Sequence, residues 1–273
     1  MKSHLSFYIL CVICLSFSCK QRQTANAITT DTKTIPFDYD DKMLKLIIFK
    51  GTLNDSISLN VMFDTGIISK EIFLSDSLSG LLVDTIVNLQ AGAYKSSFSI
   101  LPIDRNNPIF RHLDAIIGWQ FFKDKIIEIS YQHKTMRELD ATPASTEFFP
   151  IKMDSRLTIP MKIYVQGKCI EDNILIDTGS NGYVSIRKNI LEKYKIDIPN
   201  TSYAGASITS GGLLPVGTVT GDSIKLGKFT LPDVIVSFST SGNTRPNLLG
   251  NKVLEHFTVI LDFKNFFLYL KPN

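Results

Sequence analysis

Two short triplets in this chain carry the side chains best suited to chemistry: Asp64-Thr65-Gly66 and Asp177-Thr178-Gly179. One aspartate in a turn is an ordinary carboxylate. Two of them about 3 Å apart behave differently, because both cannot ionise cheaply, so they share one proton and titrate as a coupled pair. The ionised member can take a proton from water while the protonated member donates to a carbonyl oxygen. A lone triplet of this kind is an ordinary turn after a strand, where Asp and Gly are at home. The pair gains weight because its surroundings also occur twice.

The first copy opens with Ile35-Pro36-Phe37 and an apolar strand from Leu44 to Phe49. Gly51 marks a turn, and Leu59 to Phe63 forms a second strand that runs into Asp64. The other copy opens with Phe149-Pro150-Ile151. There Leu157, Ile159, Met161, Ile163 and Val165 alternate with the period of a half-buried strand. Gly167 marks the turn, and Ile174-Leu175-Ile176 runs into Asp177. The copies also close alike. Ala115-Ile116-Ile117-Gly118 precedes a short helix-like stretch (Phe121, Phe122) and a strand from Ile126 to Tyr131. Asn247-Leu248-Leu249-Gly250 precedes Val253 and Leu254 and a strand from Val259 to Phe263. Gly118 and Tyr131 stand 13 residues apart, as do Gly250 and Phe263. The pattern predicts two β-rich lobes, residues 35–140 and 148–273, joined by a linker at 141–147. Many short strands, frequent turns and little amphipathic helix place the chain in an all-β, barrel-like class.

The paired Asp-Thr-Gly turns and the paired Ile-Ile-Gly and Leu-Leu-Gly segments resemble the pepsin/retropepsin superfamily of aspartic proteases, over roughly residues 35 to 273. The resemblance implies a two-lobed acid-protease fold in which each lobe supplies one aspartate to a shared site. It makes Asp64 and Asp177 the catalytic pair of an endopeptidase that needs no metal, no cofactor and no covalent intermediate. Thr65 and Thr178 would cross-brace the two turns. Gly66 and Gly179 would let backbone N–H groups approach the carboxylates. In the second lobe Ser180 fits the family pattern, and Tyr183-Val184-Ser185-Ile186 leads on from it. Ile67 departs from it: a hydroxyl that could bond the outer oxygen of Asp64 is gone, and bulk is added. Which aspartate carries the proton is left open at this stage.

The two copies differ in length after the triplet. Asp64 to Leu89 spans 25 residues, whereas Asp177 to the corresponding Leu226 spans 49. The surplus is Gly-rich and includes Gly205, Gly211, Gly212, Pro215 and Gly217, with Leu213, Leu214 and Val216 between. Such a hairpin with an apolar tip suits a mobile flap, and the family places a flap in this interval. Gly211, Gly212, Leu213 and Leu214 are therefore expected to face the substrate.

The start of the chain has another purpose. Leu5 to Phe17 is an uncharged apolar run too short to span a bilayer, and Ser16-Phe17-Ser18-Cys19 closes it like a loose bacterial lipobox. Residues 1–18 are thus expected to be a signal peptide and Cys19 a lipid anchor, with a plain secretory signal or an uncleaved anchor as alternatives. Residues 19–34 form a polar tether. The protein is then expected to sit in the bacterial envelope, on the outer membrane facing the periplasm, and to act as a monomer on peptide or protein substrates. Of 4 cysteines, only Cys169 remains in the lobes, so no disulfide is expected there. A net charge of +3 without a basic stripe argues against nucleic acid. The 4 histidines show no metal-ligand spacing, and there is no Gly-x-Ser-x-Gly elbow or phosphate loop. Two further readings stand beside the protease. One is an inactive peptide-binding or structural module of the same shape, and the other an envelope lipoprotein that binds carbohydrate.

Overall fold

A computed structural model describes residues 33–39, 45–82, 84–104, 106–111, 113–198, 203–209, 212–240 and 246–273. The leader, Cys19 and Gly211 lie outside these residues. Among the described residues no helix is long and apolar enough to cross a membrane.

Strands dominate because apolar residues recur at every second position. The first copy contributes β1 (Thr34–Asp38), β2 (Ile48–Leu53), β3 (Ile57–Phe63), β4 (Glu71–Ser75), α1 (Asp76–Ser79), β5 (Ile86–Ala91), β6 (Tyr94–Ile103), β7 (Ala115–Ile117), β8 (Ile126–Ser130) and β9 (Thr135–Glu138). Short 3-10 turns occupy Pro108–Arg111 and Trp119–Phe122. The second contributes β10 (Phe149–Lys152), β11 (Thr158–Val165), β12 (Lys168–Ile176), β13 (Val184–Ser185), α2 (Lys188–Lys193), β14 (Tyr203–Thr209), β15 (Gly212–Leu226), β16 (Phe229–Ser239), β17 (Leu248–Leu249), α3 (Asn251–Leu254), β18 (Phe257–Asp262) and β19 (Phe267–Pro272). In β11 the alternating Ile159, Met161, Ile163 and Val165 are all buried, while the residues between them face outward.

The chain is thus all-β in character and two-lobed. Each lobe wraps its own sheet, and a layer of six strands in the order β10-β19-β18-β8-β9-β1 joins them. At the seam β8 and β18 run antiparallel, with Glu128 opposite Ile260. Glu128 lies as far beyond Gly118 as Ile260 lies beyond Gly250. Equivalent residues of the two copies therefore face each other, as a two-fold axis through that pair requires.

Two local expectations change. Gly51 is not a turn residue; it sits within β2 opposite Leu59, where an added methyl would crowd Leu89 and Val61. The turn is made by Asn54 and Asp55, whose left-handed φ values of 47° and 59° suit Asn and Asp. The folded body also begins slightly before residue 35. Thr34 already belongs to β1, Lys33 pairs with Asp140, and its carbonyl accepts from the Tyr94 hydroxyl. The last two residues of the expected tether are therefore part of the fold.

Candidate active site

In each lobe the Asp-Thr-Gly turn follows from strand register. β3 runs parallel to β7 and ends with Phe63 beside Ile117, so the next N–H, that of Asp64, donates to the Ile117 carbonyl at 2.9 Å. β12 runs parallel to β17 and ends with Ile176 beside Leu249, so the Asp177 N–H donates to the Leu249 carbonyl at 2.9 Å. The glycines closing the apolar-apolar-Gly segments are close-packed under the turns. A methyl on Gly118 would lie 2.2 Å from the Ile67 carbonyl oxygen, and one on Gly250 would lie 2.4 Å from that of Gly182.

The two turns meet. Thr65 and Thr178 are fully buried between them. The Thr65 N–H donates to Thr178 Oγ1 at 3.0 Å, and the Thr178 N–H donates to Thr65 Oγ1 at 3.0 Å. Each hydroxyl then donates across to the other lobe, Thr65 to the Ile176 carbonyl at 2.6 Å and Thr178 to the Phe63 carbonyl at 2.8 Å. Four bonds thus satisfy both N–H groups and both hydroxyls of the brace, as burial requires.

The brace brings the aspartates together, and their carboxyls hydrogen-bond to one another. Asp64 Oδ1 accepts from the Gly66 N–H at 2.8 Å, and Asp177 Oδ1 from the Gly179 N–H at 2.9 Å. The glycines are needed for space. A methyl on Gly179 would stand 2.3 Å from Asp64 Cγ, whereas one on Gly66 would stand 3.0 Å from Asp64 Oδ1 and 3.1 Å from Asp177 Oδ1. Burial holds the Asp64 carboxyl above the ordinary carboxylate range; bonds to Asp177 and to the Gly66 and Gly179 N–H groups oppose that shift without cancelling it.

The walls beside the pair differ. In the first lobe one register row crosses five strands as Ile48, Met62, Ile116, Phe73 and Leu101, with Ile67 and Ile109 packed against it. Ile67, the departure in the first turn, is thus part of an apolar surface. The corresponding row of the second lobe reads Thr158, Leu175, Leu248, Ser185 and Ser237.

Among the described residues the long hairpin belongs to the second lobe alone, since β15 has 15 residues where its counterpart β5 has 6. Gly212 has φ of 101°, which L-residues rarely adopt, and Leu213 is 64% exposed beside it. Leu214 lies opposite Ser207 within the hairpin. The hairpin end reaches the first lobe, where Asn107 Nδ2 donates to the Thr209 carbonyl at 2.8 Å. Asn107 carried no sequence signal, because it binds a backbone atom. The same holds for Asn251, directly after Gly250. Trp119 is buried and stacked on Phe263 at 5.5 Å. Cys169 is a free, partly exposed thiol.

Residues 161–253 match the sequence model of a family described as aspartyl protease. Among solved structures, the aspartic proteinase from Irpex lacteus shares the fold, with a TM-score of 0.55 at 13% identity over 88% of this chain and 97% of that one. A retropepsin-like aspartic protease from Rickettsia conorii aligns with 45% of this chain and 89% of its own, at 20% identity and a TM-score of 0.36. No curated protein matches the chain. The class is that of two-lobed acid-protease folds. The chain shares that fold, and the aspartyl protease family model matches within its second lobe.

Proposed function

We propose that this protein is an aspartic endopeptidase whose catalytic groups are Asp64 and Asp177. The observation that carries the reading is the braced meeting of the two turns, with each carboxyl holding an N–H donor of its own turn and touching the other carboxyl. In this mechanism Asp177 is the ionised member and takes a proton from a water between the two carboxyls. The water oxygen attacks the peptide carbonyl carbon, and Asp64 donates its proton to the carbonyl oxygen. Asp177 then passes its proton to the amide nitrogen, the C–N bond breaks, and Asp64 recovers a proton as the carboxylic acid product forms. The hairpin β14–β15 serves as the flap, with Leu213 at its tip, and excludes water when substrate is bound. The apolar row that passes through Met62, two residues before Asp64, favours substrates with an apolar side chain on the first-lobe side of the scissile bond.

Cleavage of a mixed peptide library from about pH 3 to 8, with Asp64→Asn and Asp177→Asn alongside, tests the reading. Turnover with a bell-shaped profile that vanishes in both variants is expected. Cleavage that persisted in either variant would reject the shared pair. Ile67, which removes a hydroxyl beside Asp64, favours a second reading, a non-catalytic peptide binder. Peptide binding by the wild type without turnover would select it.

We further propose that Cys19 is lipidated and holds the enzyme at the envelope surface, on the sequence pattern described above. Incorporation of a clickable fatty acid that is lost in Cys19→Ser is the expected result. Equal labelling of the variant would sink it.

A further inference from the structure

Asn251 is fully buried at the start of α3, and its side chain reaches three groups. Nδ2 donates to the Thr178 carbonyl at 2.7 Å and to the Lys45 carbonyl at 2.6 Å. Oδ1 accepts from the Tyr131 hydroxyl at 2.8 Å. Two of these partners, Lys45 and Tyr131, belong to the first lobe. The far end of α3 is held by the same lobe, where Glu255 accepts from Lys45 Nζ at 2.7 Å and from the Tyr39 hydroxyl at 2.8 Å.

The Thr178 carbonyl is not an arbitrary anchor. It belongs to the same peptide unit as the Gly179 N–H, and that N–H donates to Asp177 Oδ1. A peptide unit is a rigid plane, so fixing its oxygen fixes the direction of its N–H. Asn251 therefore aims the donor that holds the Asp177 carboxylate. The other side of the two-fold axis is built differently. There the residue after the glycine is Trp119, stacked on Phe263, and its indole N–H is buried without a partner. Phe263 corresponds to Tyr131 in the repeat. One side is thus a polar relay onto a catalytic turn and the other an apolar stack.

We propose that Asn251 is a positioning residue that ties the Asp177 turn to the first lobe and makes the two carboxyls inequivalent. The proposal rests on the protease reading for its kinetic consequence but not for its structural one. The charged and titratable groups around it are Asp64 and Asp177 at one end, and Tyr131, Lys45 and Glu255 at the other. The Tyr131 phenol is pushed up well above its ordinary value by burial and by the Glu255 charge, so it remains a donor through the working range.

The test follows the Asp64 and Asp177 Cγ resonances through a pH titration in the wild type, Asn251→Ala, Asn251→Asp and Tyr131→Phe, with peptide turnover measured on the same samples. Asn251→Asp has the same size but cannot donate to two carbonyls once ionised, so it separates donation from packing. In Asn251→Ala and Asn251→Asp the Asp177 resonance is expected to titrate at higher pH. The acid limb of kcat should follow, with turnover about tenfold lower there and KM little changed, as befits a misaimed Gly179 N–H bond to the Asp177 carboxylate. Tyr131→Phe keeps the packing and should move both in the same direction, by less; it decides the matter if the Asn251 variants fail to fold. Titration curves that coincide with wild type in the folded variants would overturn the proposal. If the wild type cleaves nothing, the protease reading falls, and the titration still decides the role of Asn251.

Discussion

Replacing Thr178 by Val keeps the shape of the side chain and deletes one oxygen, so it measures the brace without opening a cavity. The lost oxygen accepts from the Thr65 N–H and donates to the Phe63 carbonyl. Both partners are buried, and the variant leaves each unsatisfied. An unsatisfied buried donor or acceptor costs about 1–3 kcal/mol, so Thr178→Val should lose about 2–6 kcal/mol of stability. Against a usual total of about 5–15 kcal/mol, that is a large share for one atom. Thr65→Val strands the Thr178 N–H and the Ile176 carbonyl and should cost nearly as much. Urea unfolding reads both as a fall in midpoint at constant slope. Thr178→Ser restores the hydroxyl and should recover most of the loss. The reasoning fails if both valine variants lose less than about 0.5 kcal/mol, the range of an ordinary surface change.

Gly179→Ala should be far worse for turnover than Gly66→Ala. The first places a methyl 2.3 Å from Asp64 Cγ and, against a normal carbon contact of about 3.5–4.0 Å, drives the carboxyl back by more than about 1 Å; the second asks for a few tenths. Rates should fall about a hundredfold and less than about tenfold respectively, and equal losses would contradict the geometry. Asp64→Asn should change the pH dependence of melting. A carboxyl held above its ordinary range binds its proton more tightly in the folded state, so its cost to stability is absent below the unfolded value and grows as pH rises to the folded one. The variant should therefore gain on wild type as pH rises from acid to neutral, and a constant difference would refute the assignment. Asn107→Ala removes the bond to the Thr209 carbonyl and should speed amide exchange in β14 and the start of β15 about three- to tenfold. Unchanged exchange there would show that the bond does not hold the hairpin.

The parts of the site legible in the sequence are those written twice in side chains. The two triplets and the two apolar-apolar-Gly segments recur because each lobe must end a strand beside the same parallel neighbour. The hairpin was visible as a difference in length between the copies. Asn251 and Asn107 escaped notice because the groups their amides donate to are backbone carbonyls, which leave no trace in residue types. Gly51 misled for a related reason: the letter does not say whether a glycine is there to turn the chain or to let Leu89 and Val61 pack close. The upward shift of the Asp64 carboxyl comes from burial, which only the assembled lobes define.

The seam between β8 and β18 also bears on which halves can associate. Because equivalent residues face each other across it, either half carries an edge that fits a second copy of itself. Two copies of the first half would set Glu128 against Glu128, a like-charge pair that a sheet tolerates poorly. In the intact chain Ile260 takes that place, and Glu128 turns to Arg137 at 2.6 Å. A single glutamate on the seam thus sets a like-charge contact against a twin of the first half, where Ile260 of the second half sets none.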